Sequence, residues 1–278
     1  MIDLHSHTTR SDGDHTPAQL VDLAKEIGLS AIAITDHDTT AGLDEAIAEG
    51  KKIGIKVVPG VELSTKLDGH DVHIVGLFID KDNPDFAEFL FNMRDLRMAR
   101  NMAMAYKLTE CCPGIEMEDF PELNEDVVMT KGNFARVIIE KGYAADTTEA
   151  ISKYLLKGCP AYVPRPHATP KAAIDIIHKA GGKAFLAHFN QIVRKDREKS
   201  ERYARQIVEM GADGLETRYS EFDDDYRERA ERIAREYGLL RSGGSDFHGD
   251  IKPKISLGSG MGDLEVPDDF LIAIEAAL

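Results

Sequence analysis

His5 and His7 stand two apart in the opening run Ile2-Asp3-Leu4-His5-Ser6-His7. In an extended strand such residues share a face, so two imidazoles would sit side by side at the strand's end, as a metal ion requires. Two ligands do not close a coordination shell. Six further stretches offer the rest: Ser11-Asp12-Gly13, Thr35-Asp36-His37-Asp38, Gly60-Val61-Glu62, Asp71-Val72-His73, Ala187-His188 and Gly244-Ser245-Asp246-Phe247-His248. Singly, each has an ordinary explanation, since Asp12 suits a turn, Asp246 an N-cap and His188 an apolar core. Jointly they do not, because each follows or enters a different strand-like run, where a βα protein aims its loops at a shared site. His15, His70 and His167 lack that placement and are expected at solvent, and His178 on a helix surface.

The elements that must position these side chains read as alternating βα units. Short runs rich in Val and Ile are expected as strands at residues 2–5, 31–35, 56–59, 72–79, 183–187, 214–218 and 239–242, in a mostly parallel sheet. Thr16-Pro17 opens a helix whose apolar stripe ends at Gly28. Further helices are expected at 42–53, 170–180, 196–210, 222–237 and after Pro267. Between residues 82 and 166 the rhythm breaks into amphipathic stretches at 84–109, 133–141 and 147–157. The expected organisation is an α/β body of residues 1–81 and 167–278 with a helical insertion, 82–166, capping the substrate.

The chain of 278 residues carries a formal charge of −15, which argues against an extended nucleic-acid groove working by phosphate neutralisation. No apolar run approaches the roughly 20 residues of a membrane span, and no leader pattern is seen, so a cytoplasmic protein is expected. Cys111, Cys112 and Cys159 form no C-x-x-C pair and are expected to be idle thiols.

The ordered set His-x-His, Ser-Asp-Gly, Thr-Asp-His-Asp, Gly-Val-Glu, an isolated His, Ala-His and Gly-Ser-Asp-Phe-His resembles the polymerase and histidinol phosphatase (PHP) family of metal-dependent phosphoesterases. In the insertion, Lys131-Gly132-Asn133-Phe134-Ala135-Arg136 and Lys157-Gly158-Cys159-Pro160-Ala161-Tyr162-Val163-Pro164 resemble the subgroup acting on nucleotides, nucleoside 3',5'-bisphosphates and short RNA 5' ends. The resemblance implies a distorted seven-stranded (βα) barrel with three divalent metal ions at the strand ends. It further implies one ion on His5, His7, Glu62 and Asp246, a second on Glu62, His73 and His188, and a third on Asp12, His37 and His248. Two positions depart from the family: Phe189 follows His188 where Pro is usual, and Arg10 replaces a small or neutral residue.

Mixed imidazole and carboxylate ligands suit Mn, Fe or Zn rather than Ca or Mg. About six positive charges against three carboxylates would leave a centre attractive to a phosphate dianion, with a metal-bound hydroxide as nucleophile and no side-chain nucleophile assigned. Arg136 and Arg165, with Lys131, Asn133 and Arg10, are candidates for gripping a phosphate, because arginine forks bind it bidentately. Arg218 is a weaker candidate, and Glu216 reads as a residue behind the ligands. The leading expectation is a nucleotide phosphomonoesterase, extending to 5'-3' exonuclease action on short RNA. A histidinol-phosphate or other small-metabolite phosphatase, and a metal-binding regulatory module without turnover, are the alternatives.

Overall fold

A computed structural model describes residues 1–124, 129, 131–164 and 167–278. It has two compact units, Met1–Leu90 with His167–Leu278, and Phe91–Pro166. The first holds seven strands: β1 Ile2–Asp3, β2 Ala31–Ile34, β3 Lys56–Leu67, β4 His70–Leu77, β5 Lys183–Leu186, β6 Gly214–Tyr219 and β7 Leu240–Gly244. They pair in sequence order. The chain after β1 then meets the end of β7, with Leu4 N bonded to Gly243 O at 3.1 Å and His7 N to Phe247 O at 3.0 Å, so the sheet is a nearly closed barrel.

Helices α1 Pro17–Glu26, α2 Leu43–Ile53 and the start of α3 Pro84–Cys111 belong to this unit. Thr16 caps α1 through a capping box with Gln19, and Pro17 occupies the first turn, where a missing N–H costs nothing. In β2 all four residues are buried, as expected of a strand covered on both faces. Ala31 and Ala33 pack with Val58, Val75 and Phe185 in one cluster, whereas Ile32 and Ile34 pack in another with Leu20 and Ile177. That alternation is the period of two that separates the two faces of a strand.

The sheet is not uniformly parallel, because β4 runs antiparallel to both β3 and β5. The cause is local. Asp68 and Gly69 have φ of +49° and +84°, and Leu67 pairs directly with His70. Two residues of positive φ make the tight turn whose twist matches a hairpin, so β3 continues to Leu67 and returns as β4. His73, near the beginning of β4, therefore lies at the end of the barrel where the parallel strands finish.

The second unit holds the rest of α3, with α4 Lys131–Glu140 and α5 Thr147–Ala150, the last running into a π turn at Ile151–Leu155. Leu108, Cys112, Phe120, Phe134, Ile138 and Leu155 form its own core, and Cys111 and Cys112 remain free thiols. Helices α6 Pro170–Lys179, α7 Arg197–Glu209, α8 Asp224–Tyr237 and α9 Asp268–Ala276 return to the barrel unit. No helix among the described residues is long and apolar enough to cross a membrane.

Candidate metal centre

The ligand-type residues singled out above meet in one connected cluster, several of them aimed there by a local feature. Ser6 turns away from the flanking histidines, its Oγ donating to Ala33 O at 2.6 Å, which fixes the alternation that presents His5 and His7 together. Their ring centroids lie 5.2 Å apart. His37 follows β2 and forms an isolated bridge with Glu62 of β3. His188 and Asp246, just beyond β5 and β7, have φ of +23° and +57°. Such left-handed backbone is uncommon for these residues and is sustained only where surrounding contacts impose it. Gly244, two residues before Asp246, lets the strands close, because a Cβ there would overlap the His5 backbone and the Asp3 carboxylate.

Glu62 stands at the middle, fully buried. Its Oε1 lies 2.8 Å from both His73 Nδ1 and His188 Nε2. Its Oε2 lies 3.1 Å from His37 Nδ1, 3.2 Å from His7 Nε2 and 3.3 Å from His5 Nε2. Asp246 Oδ1 is 3.3 Å from His7 Nε2, and Asp12 Oδ1 is 3.3 Å from His248 Nε2. Four groups have ligand atoms all within 4.8 Å of one another: His7, Asp12, His37 and His248; His5, Glu62 and His188; His5, His7 and Asp246; and His37, Glu62 and His73.

The charges match that crowding. Burial works against the Glu62 carboxylate, but the imidazoles of His37, His5 and His73 hold it well below its usual range. Asp246 is likewise lowered against burial, by Lys252, His7 and His5. Burial opposes the charged form of His7 too, yet the neighbouring carboxylates of Asp246 and Glu62 raise it to about 9. His37 goes the other way, to about 3, since burial and the neighbouring His7 and His73 outweigh Glu62 and Asp12. A cluster of imidazoles sharing too few carboxylates is an arrangement that divalent cations would relieve.

Unpartnered atoms fit such cations. His5 Nε2, His7 Nε2, Asp12 Oδ1, His37 Nδ1 and Glu62 Oε2 are buried and make no hydrogen bond. Buried polar atoms are rarely left so, and these five converge on the same space with the nitrogen and oxygen donors that transition metals prefer.

Several residues behind the ligands carry no spacing signal in the sequence. Asp36 accepts from Thr8 N at 2.8 Å, Thr8 Oγ1 at 2.7 Å and Ser11 Oγ at 2.6 Å, tying the loop after His7 to the end of β2. Tyr219 Oη and Lys252 Nζ donate to Asp246 Oδ2 at 3.0 and 2.8 Å. Asp36 was visible only as the neighbour of His37. Lys252 was not visible at all, because nothing in a loop sequence says that its ammonium folds back onto an acid six residues earlier.

The expected phosphate contacts fall on both units. Arg10 pairs with Glu45 at 3.0 Å on the barrel surface, and Arg218 pairs with Glu231 at 2.9 Å. Lys131, Asn133 and Arg136 lie on α4 in the second unit, where Arg136 approaches Glu140 at 3.4 Å. Arg165 falls outside the described residues. His178 is on α6 and pairs with Asp213 at 2.6 Å, and His70 sits at the hairpin turn against Tyr203.

A family model described as the PHP domain matches residues 3–238. The chain is 39% identical over 261 residues to the 5'-3' exoribonuclease Rnm of Escherichia coli K12, covering 93% of this chain and 88% of that protein. It is 35% identical over 253 residues to the 3',5'-nucleoside bisphosphate phosphatase of Chromobacterium violaceum, covering 89% and 87%. A solved structure from Bifidobacterium adolescentis, described as a metal-dependent phosphoesterase, superimposes with a TM-score of 0.83 at 30% identity over 99% of this chain and 95% of that one. Barrel, ligand chemistry and these likenesses define a metal-dependent phosphoesterase. The chain belongs to the PHP family.

Proposed function

We propose that the chain hydrolyses phosphate esters of nucleotides, on a centre of three divalent ions of the Mn, Fe or Zn kind. His5, His7 and Asp246 would hold one, Glu62 with His73 and His188 a second, and Asp12, His37 and His248 a third. Glu62 would be shared, and its position carries the reading: one buried carboxylate has five imidazoles within 3.3 Å, divided between its two oxygens. Ions held there would supply positive charge for the phosphoryl oxygens and an activated water as nucleophile.

The protein's own groups provide the frame. A ring held protonated, such as His7, must shed that proton to bind, and the carboxylates, already held ionised, accept the ions without a protonation cost. The strand ends fix the ligand directions, and the burial of His5, His7, Glu62 and Asp246 excludes bulk water from beneath the reacting ester. Arg136 and Arg165, with Lys131 and Asn133, are the proposed grip on a second phosphate or on the sugar-phosphate backbone; Arg10, engaged with Glu45, is a weaker contact. The names of the two relatives above, an exoribonuclease and a nucleoside bisphosphate phosphatase, support nucleotides and short RNA 5' ends as substrates.

The test is phosphate release from AMP, a nucleoside 3',5'-bisphosphate, a 5'-phosphorylated oligoribonucleotide and histidinol phosphate, each with Mn, Fe or Zn. Turnover of the nucleotides ahead of histidinol phosphate is expected. Preference for histidinol phosphate would overturn the substrate class, and no release from any ester would overturn catalysis.

A further inference from the structure

Glu216 touches two of the proposed ligands and is itself none of them. Its Oε1 lies 2.7 Å from His5 Nδ1, and its Oε2 accepts from the backbone N–H of His188 at 2.6 Å. The carboxylate is buried, so no water competes for either oxygen. Strand β6 is irregular just after it. Glu216 pairs with Ser242, but Arg218, two residues on, pairs with Gly243, one residue on. Glu216 and Thr217 are both buried, as in a strand covered on both faces.

We infer that Glu216 is a positioning residue that orients the ring of one ligand and the backbone of another. This rests on the metal-centre reading above. A proton kept on His5 Nδ1 and shared with Glu216 leaves the Nε2 lone pair for an ion, and Nε2 is the atom that faces Glu62 without a hydrogen bond. The second oxygen holds the His188 N–H, at the residue whose φ of +23° turns its ring toward Glu62. One carboxylate on β6 thereby couples the ligand after β1 to the ligand after β5.

The experiment compares wild type and Glu216→Gln, a variant of equal size that keeps one acceptor and loses the charge. Metal dissociation constants are measured by chelator competition, and the His5 ring by 15N NMR of the Zn-loaded protein. In wild type, His5 should show a protonated Nδ1 with a strongly deshielded proton, and the variant should bind the ion about 10- to 100-fold more weakly. An unprotonated Nδ1 in wild type, or unchanged affinity in the variant, would overturn the inference. The wild-type NMR result decides the matter even if the variant does not fold. Failure of wild type to take up any divalent ion would instead overturn the metal centre itself, together with everything built on it.

Discussion

Glu62 and His188, 126 positions apart in the chain, meet at 2.8 Å. Their strands, β3 and β5, are not neighbours in the sheet, since β4 lies between them. His73 of β4 fills the gap, its ring 5.1 Å from that of His188. Three consecutive strands thus converge on one carboxylate, and the reversed direction of β4 is what allows the middle strand to take part.

Replacing that carboxylate is the sharpest test of the centre. Glu62→Gln should abolish tight metal uptake and lower kcat/KM by at least about 1,000-fold. In the metal-free protein it should also destabilise the fold by about 3 kcal/mol, because the buried imidazolium groups lose their counter-charge. Urea unfolding of the chelator-treated protein reads the second effect separately from activity. Stability equal to wild type would show that Glu62 does not balance those charges.

Metal loading should release protons. His7 is raised to about 9 when no ion is bound, so at pH 7 it carries a proton that an incoming ion must displace. The sign follows: affinity falls as pH drops below about 9. Stability moves oppositely in the metal-free protein, where the raised value contributes fully below an unfolded value of about 6.5 and is lost as pH rises through 9. Titration calorimetry in buffers of different ionisation enthalpy counts the protons, and zero release at pH 7 would contradict the assignment.

His37→Ala and Asp246→Ala probe different ligand groups of the centre. Each should lose bound metal and most activity, whereas thermal unfolding of the metal-free proteins should remain cooperative. Metal analysis paired with the phosphate-release assay checks both, and full activity in either would remove that residue from the ligand set.

Arg136→Ala should raise KM for the preferred nucleotide about tenfold, the scale of a lost charge-assisted bond to phosphate. The exposed pair with Glu140 contributes little to stability. Unchanged KM and kcat would remove Arg136 from the substrate grip.

The hairpin can be tested without chemistry. Gly69→Ala forces a side chain into φ of +84° and should cost about 1 kcal/mol, or about 2 °C in the melting temperature. The change touches no proposed ligand, so a loss of metal affinity would show that the turn also governs where His73 stands.

Read by itself, the sequence determined the ligand-type residues and the helical frame. His5 and His7 announce themselves by a spacing of two, and Thr16-Pro17 and Gly28 bound α1, because such signals depend only on neighbours a few residues away. It also contained the Asp68-Gly69 hairpin signal, but strands expected at 56–59 and 72–79 left that turn between two separate units. Only tertiary structure decided that β4 runs backwards, that Glu62 is surrounded by five imidazoles, that Tyr219 and Lys252 stand behind the ligands, and which two ligands Glu216 touches. These depend on strand order, a feature set by long-range packing. The physical reason is that a ligand is recognisable by its own chemistry, whereas the partner that orients it is recognisable only by where the barrel brings it.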